Sequence, residues 1–279
     1  SNDYLDLASH PALKAAVRAV LDSHTCGATA SRLMSGNLGI HETLEQSIAA
    51  LCGQEAALVF PSGYQTNVGV ISALAGRGDT IYSDALNHAS IIDGARLSRA
   101  TIQVFRHNDA VHLAELLATT PPGGRKIVVT DSVFSMDGDL APVVELAALA
   151  RRHDAVFVVD EAHAVGIWGE GGGVCKGLGV RPDLITGTLG KSLGSGGAFA
   201  AGGAVFRDLL INKARSFIYS TGLTPMNAAA GLAAVKLIEE DPSMGQALLA
   251  RSAYFQDRLA SRGVPIVRSE TQIVPIMVG

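Results

Sequence analysis

Lys191 sits in Gly187-Thr188-Leu189-Gly190-Lys191-Ser192-Leu193-Gly194, just past an apolar stretch, and Asp160-Glu161-Ala162-His163 closes the run Val156-Phe157-Val158-Val159. An amine, a carboxylate and an imidazole thus follow successive hydrophobic segments, where an open α/β sheet builds its binding crevice. A lysine near its ordinary pKa of ~10.4 is a poor nucleophile at neutral pH, and burial or neighbouring positive charge corrects that. A carboxylate at the end of a buried strand is costly unless a cation meets it. A protonated pyridine nitrogen is such a cation, so this lysine and this aspartate are what a pyridoxal 5′-phosphate (PLP) site requires. Singly, each has a plainer explanation: a surface lysine on a glycine-rich turn, and an aspartate in a salt bridge or holding magnesium.

Three further clusters follow apolar runs. Pro61-Ser62-Gly63-Tyr64 joins a strand to a helix beginning near Tyr64, and free amides at a helix start form a phosphate seat or simply a serine-capped turn. His88, in Asp84-Ala85-Leu86-Asn87-His88-Ala89-Ser90, offers a face that stacks on a planar ring, or else serves as a cap. Asp131-Ser132-Val133-Phe134-Ser135-Met136-Asp137-Gly138-Asp139 offers hydroxyls and carboxylates, although Asp137-Gly138 also suits a plain turn. Five polar clusters after five strands would converge on one crevice.

The elements that must position them alternate short β-rich runs with amphipathic segments, the signature of βαβ units. The predicted strands are Ala57–Phe60, Thr80–Ser83, Gln103–Phe105, Lys126–Thr130, Val156–Val159, Leu184–Thr186 and Gly202–Phe206. Predicted helices include His41–Leu51, Tyr64–Ala75, Ala110–Ala118 and Val143–Arg152. Runs such as Ile127-Val128-Val129 are apolar on both faces, as in a parallel sheet covered on each side. After Pro225 the texture changes: Met226–Glu240 and Ser243–Arg262 read as helices, and 273–278 as a lone strand. A lone strand leaves its backbone unpaired, so the chain reads as ending inside a second domain. We expect an N-terminal segment 1–30, a large α/β domain 31–235, and linking helices with the start of a small C-terminal domain over 236–279.

Composition narrows the function. With 22 basic against 26 acidic residues the net charge is −4, and no basic cluster supports a nucleic-acid or anionic-membrane partner. Cys26, Cys52 and Cys175 fit neither a disulfide framework nor a metal-ligand spacing. They suit idle thiols in a reducing cytoplasm. No leader or bilayer-spanning stretch is apparent. A phosphate-binding loop of the Walker type is not matched around Lys191, and no Gly-x-Gly-x-x-Gly opens a dinucleotide-binding unit.

The ordered set Asn2-Asp3-Tyr4-Leu5, Ser31-Arg32 with Gly36-Asn37 and His41, Pro61-Ser62-Gly63-Tyr64, Asn87-His88-Ala89-Ser90, Phe134-Ser135-Met136-Asp137-Gly138, Asp160-Glu161-Ala162-His163 and Thr188-Leu189-Gly190-Lys191 resembles the α-oxoamine synthases along the whole chain. These are PLP-dependent transferases of fold type I, with a mostly parallel central sheet and helices on both faces. They join an amino acid to an acyl thioester with loss of carbon dioxide. The resemblance implies that Lys191 carries PLP as a Schiff base and moves the substrate α-proton, and that Asp160 pairs with the ring nitrogen. It implies that His163 and Ser135 bond the phenolic oxygen and that His88 stacks over the ring beside the substrate. Thr188 and the amides of Gly63 and Tyr64 would hold the phosphate. Ser220-Thr221 resembles a segment reaching the phosphate of a neighbouring subunit, which implies a homodimer with shared sites. Asn2 matches a position that holds the substrate carboxylate.

Within the family, Ser31-Arg32-Leu33, Ser62-Gly63-Tyr64, Gly197–Phe206 and Ile273–Ile276 most resemble the member of the biotin pathway that joins L-alanine to a pimeloyl thioester of coenzyme A or a carrier protein. The stretches Ser83–Gly94 and Ile185–Lys191 are equally at home in the member that joins glycine to acetyl-CoA. A non-catalytic partner subunit on the same fold is a third reading, against which Lys191, Asp160 and His163 argue. The chain departs from the pattern at Asp6, where the family has glycine. It also lacks the family's N-terminal arm and most of the small C-terminal domain with its carboxylate-binding arginine.

Overall fold

A computed structural model describes residues 1–121 and 123–276. Two helices, α1 (Pro11–Leu21) and α2 (Gly39–Cys52), precede β1 (Ala56–Phe60). Strands and helices then alternate as α3 (Gly63–Leu74), β2 (Thr80–Asp84), α4 (Ala89–Ser98), β3 (Thr101–Phe105), α5 (Ala110–Thr119), β4 (Lys126–Asp131), α6 (Val143–Arg152) and β5 (Ala155–Asp160). A short α7 (Val174–Gly177) leads to β6 (Leu184–Thr188) and β7 (Ala198–Gly202). Four helices follow: α8 (Ala204–Lys213), α9 (Arg215–Ile218), α10 (Pro225–Glu240) and α11 (Met244–Ala260).

The strands form one sheet in the order β1-β7-β6-β5-β4-β2-β3. Only β7 runs against its neighbours, pairing antiparallel with both β1 and β6. The other ladders are parallel. Alternate residues therefore feed opposite layers. Leu58, Phe60, Ile81, Val129 and Val158 pack with Ile71, Ile91 and Leu210 of α3, α4 and α8. Val59, Ile185 and Phe199 face Leu44, Ile48 and Val235 of α2 and α10. Val128, Phe157 and Val159 face Leu113 and Leu146 of α5 and α6. Phe60 and Phe199 are wholly buried, and each stabilises the fold by roughly 1.5–3 kcal/mol.

The expected strand Gly202–Phe206 is displaced: the strand is Ala198–Gly202, and Ala204–Lys213 is helix α8. The slot between β1 and β6 explains the small residues of β7. A Cβ on Gly187 would lie 2.5 Å from the Phe199 ring, so neighbouring positions trade bulk for none. The expected terminal strand is reduced to an isolated bridge between Ile266 and Ile276, and Met277 and Val278 lie outside the described residues. Asp6 adopts φ 55°, the left-handed region that glycine enters without cost.

This topology sets five strand ends along one edge of the sheet. β1, β2, β4, β5 and β6 run the same way, and each releases its polar cluster there.

Candidate active site

The floor of the site is a pair of carboxylates. Asp131 and Asp160 are register partners at the ends of β4 and β5, and each is only 6% exposed. Asp160 Oδ2 accepts from Asn67 Nδ2 at 2.7 Å, and its Oδ1 from the Ala162 amide at 2.8 Å. Asn67 is held in turn, its Oδ1 accepting from Thr186 Oγ1 at 2.8 Å and its Nδ2 also donating to Ser90 Oγ at 2.9 Å. Asp131 Oδ2 accepts from the His88 amide at 2.9 Å. Burial, and then the charge of Asp160, drive the Asp131 pKa well above its ordinary value. Among the described residues neither carboxylate has a cation within ion-pair distance.

Lys191 stands in the loop after β6 and lines the same cavity as the two carboxylates. Burial lowers its pKa, against the upward pull of Asp160 and Asp131. Its Nζ lies 2.6 Å from His163 Nε2. His163 Nδ1 lies 2.7 Å from the Tyr4 hydroxyl, which sits 3.3 Å from Asn2 Oδ1. An ammonium only donates, so beside a protonated lysine the chain runs Lys191 to His163 to Tyr4 to Asn2. Burial, then Lys191 and His88, hold the His163 pKa down at about 3, and its ring is neutral at ordinary pH. Gln272 Nε2 fixes the same residue from the backbone side, donating to the His163 carbonyl at 2.7 Å.

The opposite wall is the start of α3. Ser62 is extended and its Oγ accepts from the Gln65 amide. The amides of Gly63 and Tyr64 belong to the first turn, where a helix has no internal acceptor and its dipole favours an anion. Thr188 Oγ1 faces this end, donating to the Gly197 carbonyl at 3.1 Å and accepting from the Gly190 amide at 3.1 Å. Its Cβ lies 4.0 Å from the Cβ position of Gly63, so the backbone approaches closely there. His88 caps α4, its Nδ1 2.7 Å from Ser90 Oγ.

These groups surround one cavity of about 200 Å³ lined by Gly63, Tyr64, Asn67, His88, Ser90, Asp131, Ser135, Asp160, Ala162, His163, Thr186, Gly187, Thr188 and Lys191. Eight expected residues therefore meet: Lys191, His88, Asp160, Gly63, Tyr64, Ser135, His163 and Thr188. Asn2, Ser220 and Thr221 do not line it. Thr221 bridges Ser31, and Ser220 Oγ receives a 3.5 Å bond from Gln65 Nε2 on the flank of α3. A larger groove, about 680 Å³, lies at Arg32, Glu45, Gln54, Arg207 and Phe217 and contains none of the strand-end groups. Chemistry, not volume, selects the site.

Sequence reading placed Asp131 in a polar cluster and Tyr4 in a motif without giving either a role, and it did not single out Asn67 or Thr186. Asn67 carried a signal, since it lies three residues after Tyr64 and so shares its helix face. The residues fit PLP on the structure's own terms: two buried carboxylates await a ring cation, a helix start offers free amides, and a poised amine stands between. Among the described residues no group of three or more His, Cys, Asp or Glu is placed to hold a metal ion, and no helix is long and apolar enough to cross a membrane.

Comparison with known proteins bears on the family and the fold. The family model described as aminotransferase class I and II matches residues 1–279. An 8-amino-7-oxononanoate synthase of Geotalea daltonii is 52% identical over 286 residues, spanning 100% of this chain and 72% of the relative. One from Citrifermentans bemidjiense is 50% identical over 285 residues, spanning 100% and 73%. Among solved structures, a serine palmitoyltransferase from S. paucimobilis with a bound PLP–myriocin aldimine superposes with a TM-score of 0.96 at 30% identity, over 100% of this chain and 74% of that one. An 8-amino-7-oxononanoate synthase from Francisella tularensis gives 0.79 at 27% identity, over 96% and 76%. The chain has the fold of the type I PLP transferases, and it belongs to the aminotransferase class I and II family and, within it, to the α-oxoamine synthases.

Proposed function

We propose that this protein is a PLP-dependent acyltransferase that condenses L-alanine with a pimeloyl thioester, releasing carbon dioxide and forming 8-amino-7-oxononanoate for biotin synthesis. The carrying observation is the Asp131–Asp160 floor facing Lys191 in a chain about half identical, end to end, to synthases of that name. Backbone similarity does not choose the substrate, because the S. paucimobilis palmitoyltransferase superposes better than the Francisella synthase. Identity to curated relatives supports it, at 50–52% with synthases of that name.

Bound in this cavity, PLP supplies an electron sink for the carbanion left when an amino acid loses its α-proton. Lys191 Nζ, its pKa lowered by burial, would both capture the cofactor and carry the α-proton. Asp160 would hold the proton on the ring nitrogen, its carboxylate already fixed by Asn67 and the Ala162 amide. Neutral His163 and the Ser135 hydroxyl would serve the phenolic oxygen. His88 would cover the ring and the substrate. The first turn of α3 with Thr188 would receive the phosphate, and Asn2, linked to the site through Tyr4, would orient the substrate carboxylate.

The reading includes a homodimer in which Ser220-Thr221 serves the neighbour's phosphate. Exposed Leu33, Met34 and Tyr219 lie close in the chain to the bridged Ser31 and Thr221, apolar surface that contact with a second copy would cover. It also includes a cytoplasmic enzyme with free thiols at Cys26, Cys52 and Cys175, and the division into segments 1–30, 31–235 and 236–279. The test is a panel pairing alanine, glycine and serine with pimeloyl and acetyl thioesters of coenzyme A and carrier protein. Alanine with pimeloyl thioester should turn over fastest; preference for glycine with acetyl-CoA would overturn the assignment.

A further inference from the structure

Outside the cavity, one histidine joins two of the loops that build it. His107 follows β3, and its Nδ1 lies 2.9 Å from Asp84 Oδ1 while its Nε2 lies 2.8 Å from Asp139 Oδ2. Asp84 ends β2, the strand whose loop carries His88, and its Oδ1 also accepts from the Leu86 amide at 2.9 Å. Asp139 closes the loop carrying Ser135, in which the Phe134 amide donates to the Asp139 carbonyl and the Gly138 amide to the Phe134 carbonyl. Because β2 lies between β3 and β4, His107 reaches across the end of one strand to the loop of the next. Phe134, beside Ser135, meets the imidazole edge-on at 4.4 Å. Asn108 duplicates the span: its amide donates to Asp84 Oδ2 at 2.9 Å, and its Nδ2 to Asp139 Oδ2 at 2.8 Å.

Ionised carboxylates only accept, so both ring nitrogens must carry hydrogen and the ring is an imidazolium. The charged groups facing it are Asp84, whose side chain is fully buried, and Asp139. Behind Asp84 stands Asp131, whose ionisation Asp84 opposes. On His107's own loop, Arg106 and Asp109 pair with each other, and His112 of α5 accepts from the Arg106 amide. Burial by itself would depress the His107 pKa, but the bonds and charges of Asp84 and Asp139 outweigh it and raise it. The sign follows: stability from this pairing is complete below the ordinary histidine pKa of ~6.5 and is lost as pH rises through the higher folded value.

We propose that His107 is a positioning residue which, as an imidazolium, clamps the His88 loop to the Ser135 loop and so shapes the cavity for PLP. The inference rests on the cofactor reading and adds a residue that never touches the cofactor. By linkage, if the clamp favours PLP, then PLP must favour the clamp.

The experiment follows the ring nitrogens of the full chain, its histidines labelled with ¹⁵N, by pH titration without and with PLP, assigning His107 from His107→Gln. Both nitrogens should lose protonation only above the ordinary histidine value of ~6.5, and PLP should move the titration to higher pH. His107→Gln should bind PLP about tenfold more weakly, the scale of one charge-assisted hydrogen bond, and Asp139→Asn should lower the pH at which His107 titrates. Should His107→Gln fail to fold, the Asp139→Asn variant at a more exposed site decides alone. PLP binding that leaves the His107 titration unmoved, or an Asp139→Asn protein with unchanged titration and affinity, overturns the clamp while sparing the cofactor site. No PLP binding to the wild type overturns the cofactor reading and the clamp with it.

Discussion

Asp160 and Glu161 are adjacent in the chain, both carry a carboxyl group, and they are buried in opposite surroundings. Glu161 is fully enclosed, and fixed donors reach both oxygens: Ser132 Oγ at 2.7 Å and the Val174 amide at 3.0 Å to Oε2, the Cys175 amide at 2.8 Å to Oε1. Gly173 packs so closely that an added Cβ would lie 2.9 Å from the Glu161 carboxyl carbon. That pocket is complete without any visitor. Asp160 also has two donors, yet it lines a cavity beside a second carboxylate and lacks a cation partner. A buried acid whose bonds are closed by its own fold is building structure. One left facing space and unbalanced charge is waiting for a ligand.

The strongest way to break this contrast is on the cavity side. Lys191→Ala should lower turnover on the order of a thousandfold or more, because both capture of the cofactor and proton transfer are lost. Product formation at the wild-type rate would remove Lys191 from the chemistry. Asp160→Asn should follow, with α-proton exchange of alanine slowed on the order of a hundredfold, since the ring nitrogen loses its counter-charge. Exchange measured by loss of deuterium label should report this, and an unchanged rate would place Asp160 with Glu161 as a structural acid.

On the closed side the expected change is in stability. In Glu161→Gln the side-chain NH₂ faces an amide donor whichever way it turns, Val174 or Cys175. One buried donor is left unpaired at a cost of about 1–3 kcal/mol. Thermal unfolding of the variant should shift down by several degrees, while turnover per folded molecule holds. A variant that keeps its midpoint but loses PLP would reverse the roles of the two neighbours.

How far the chain itself announced this division depends on the residue. Strand ends were legible because each apolar run stops at a polar cluster, and five such stops on parallel strands can only meet at one edge. The strand Ala198–Gly202 was not, because Ala-Phe-Ala-Ala-Gly carries little β-propensity and is drawn into the sheet by the narrow slot between β1 and β6. Helix α4 escaped notice too, its Ile91 and Ala95 facing the core at one-turn spacing within a short, polar-flanked segment. Asn67, Tyr4 and Asp131 acquire roles only through partners distant in sequence, Asp160, His163 and again Asp160. Local pattern sets Asp160 at the strand end, but that Glu161 is closed by its own fold while Asp160 faces a cavity shows only in three dimensions.

The smallest predicted effect sharpens the comparison by its sign. Asp131 accepts one hydrogen bond, from the His88 amide, which an asparagine oxygen keeps. Its pKa is raised from the ordinary 3.8 by burial first and by Asp160 second. A carboxyl whose folded pKa is raised contributes stability fully below the unfolded value and loses it as pH rises through the folded one. The wild-type protein without cofactor should therefore lose stability as pH climbs from about 4 toward that raised pKa, and Asp131→Asn should flatten the slope. At pH 8 the variant should be more stable by at least about 1 kcal/mol, what one repulsion between unit charges about 4 Å apart is worth even in water, and it should bind PLP more weakly. Denaturant unfolding across pH measures both limbs. Destabilisation at every pH would mean that Asp131, like Glu161, is paired by the fold; stabilisation with weaker PLP binding is what a site holding uncompensated charge for its ligand must show.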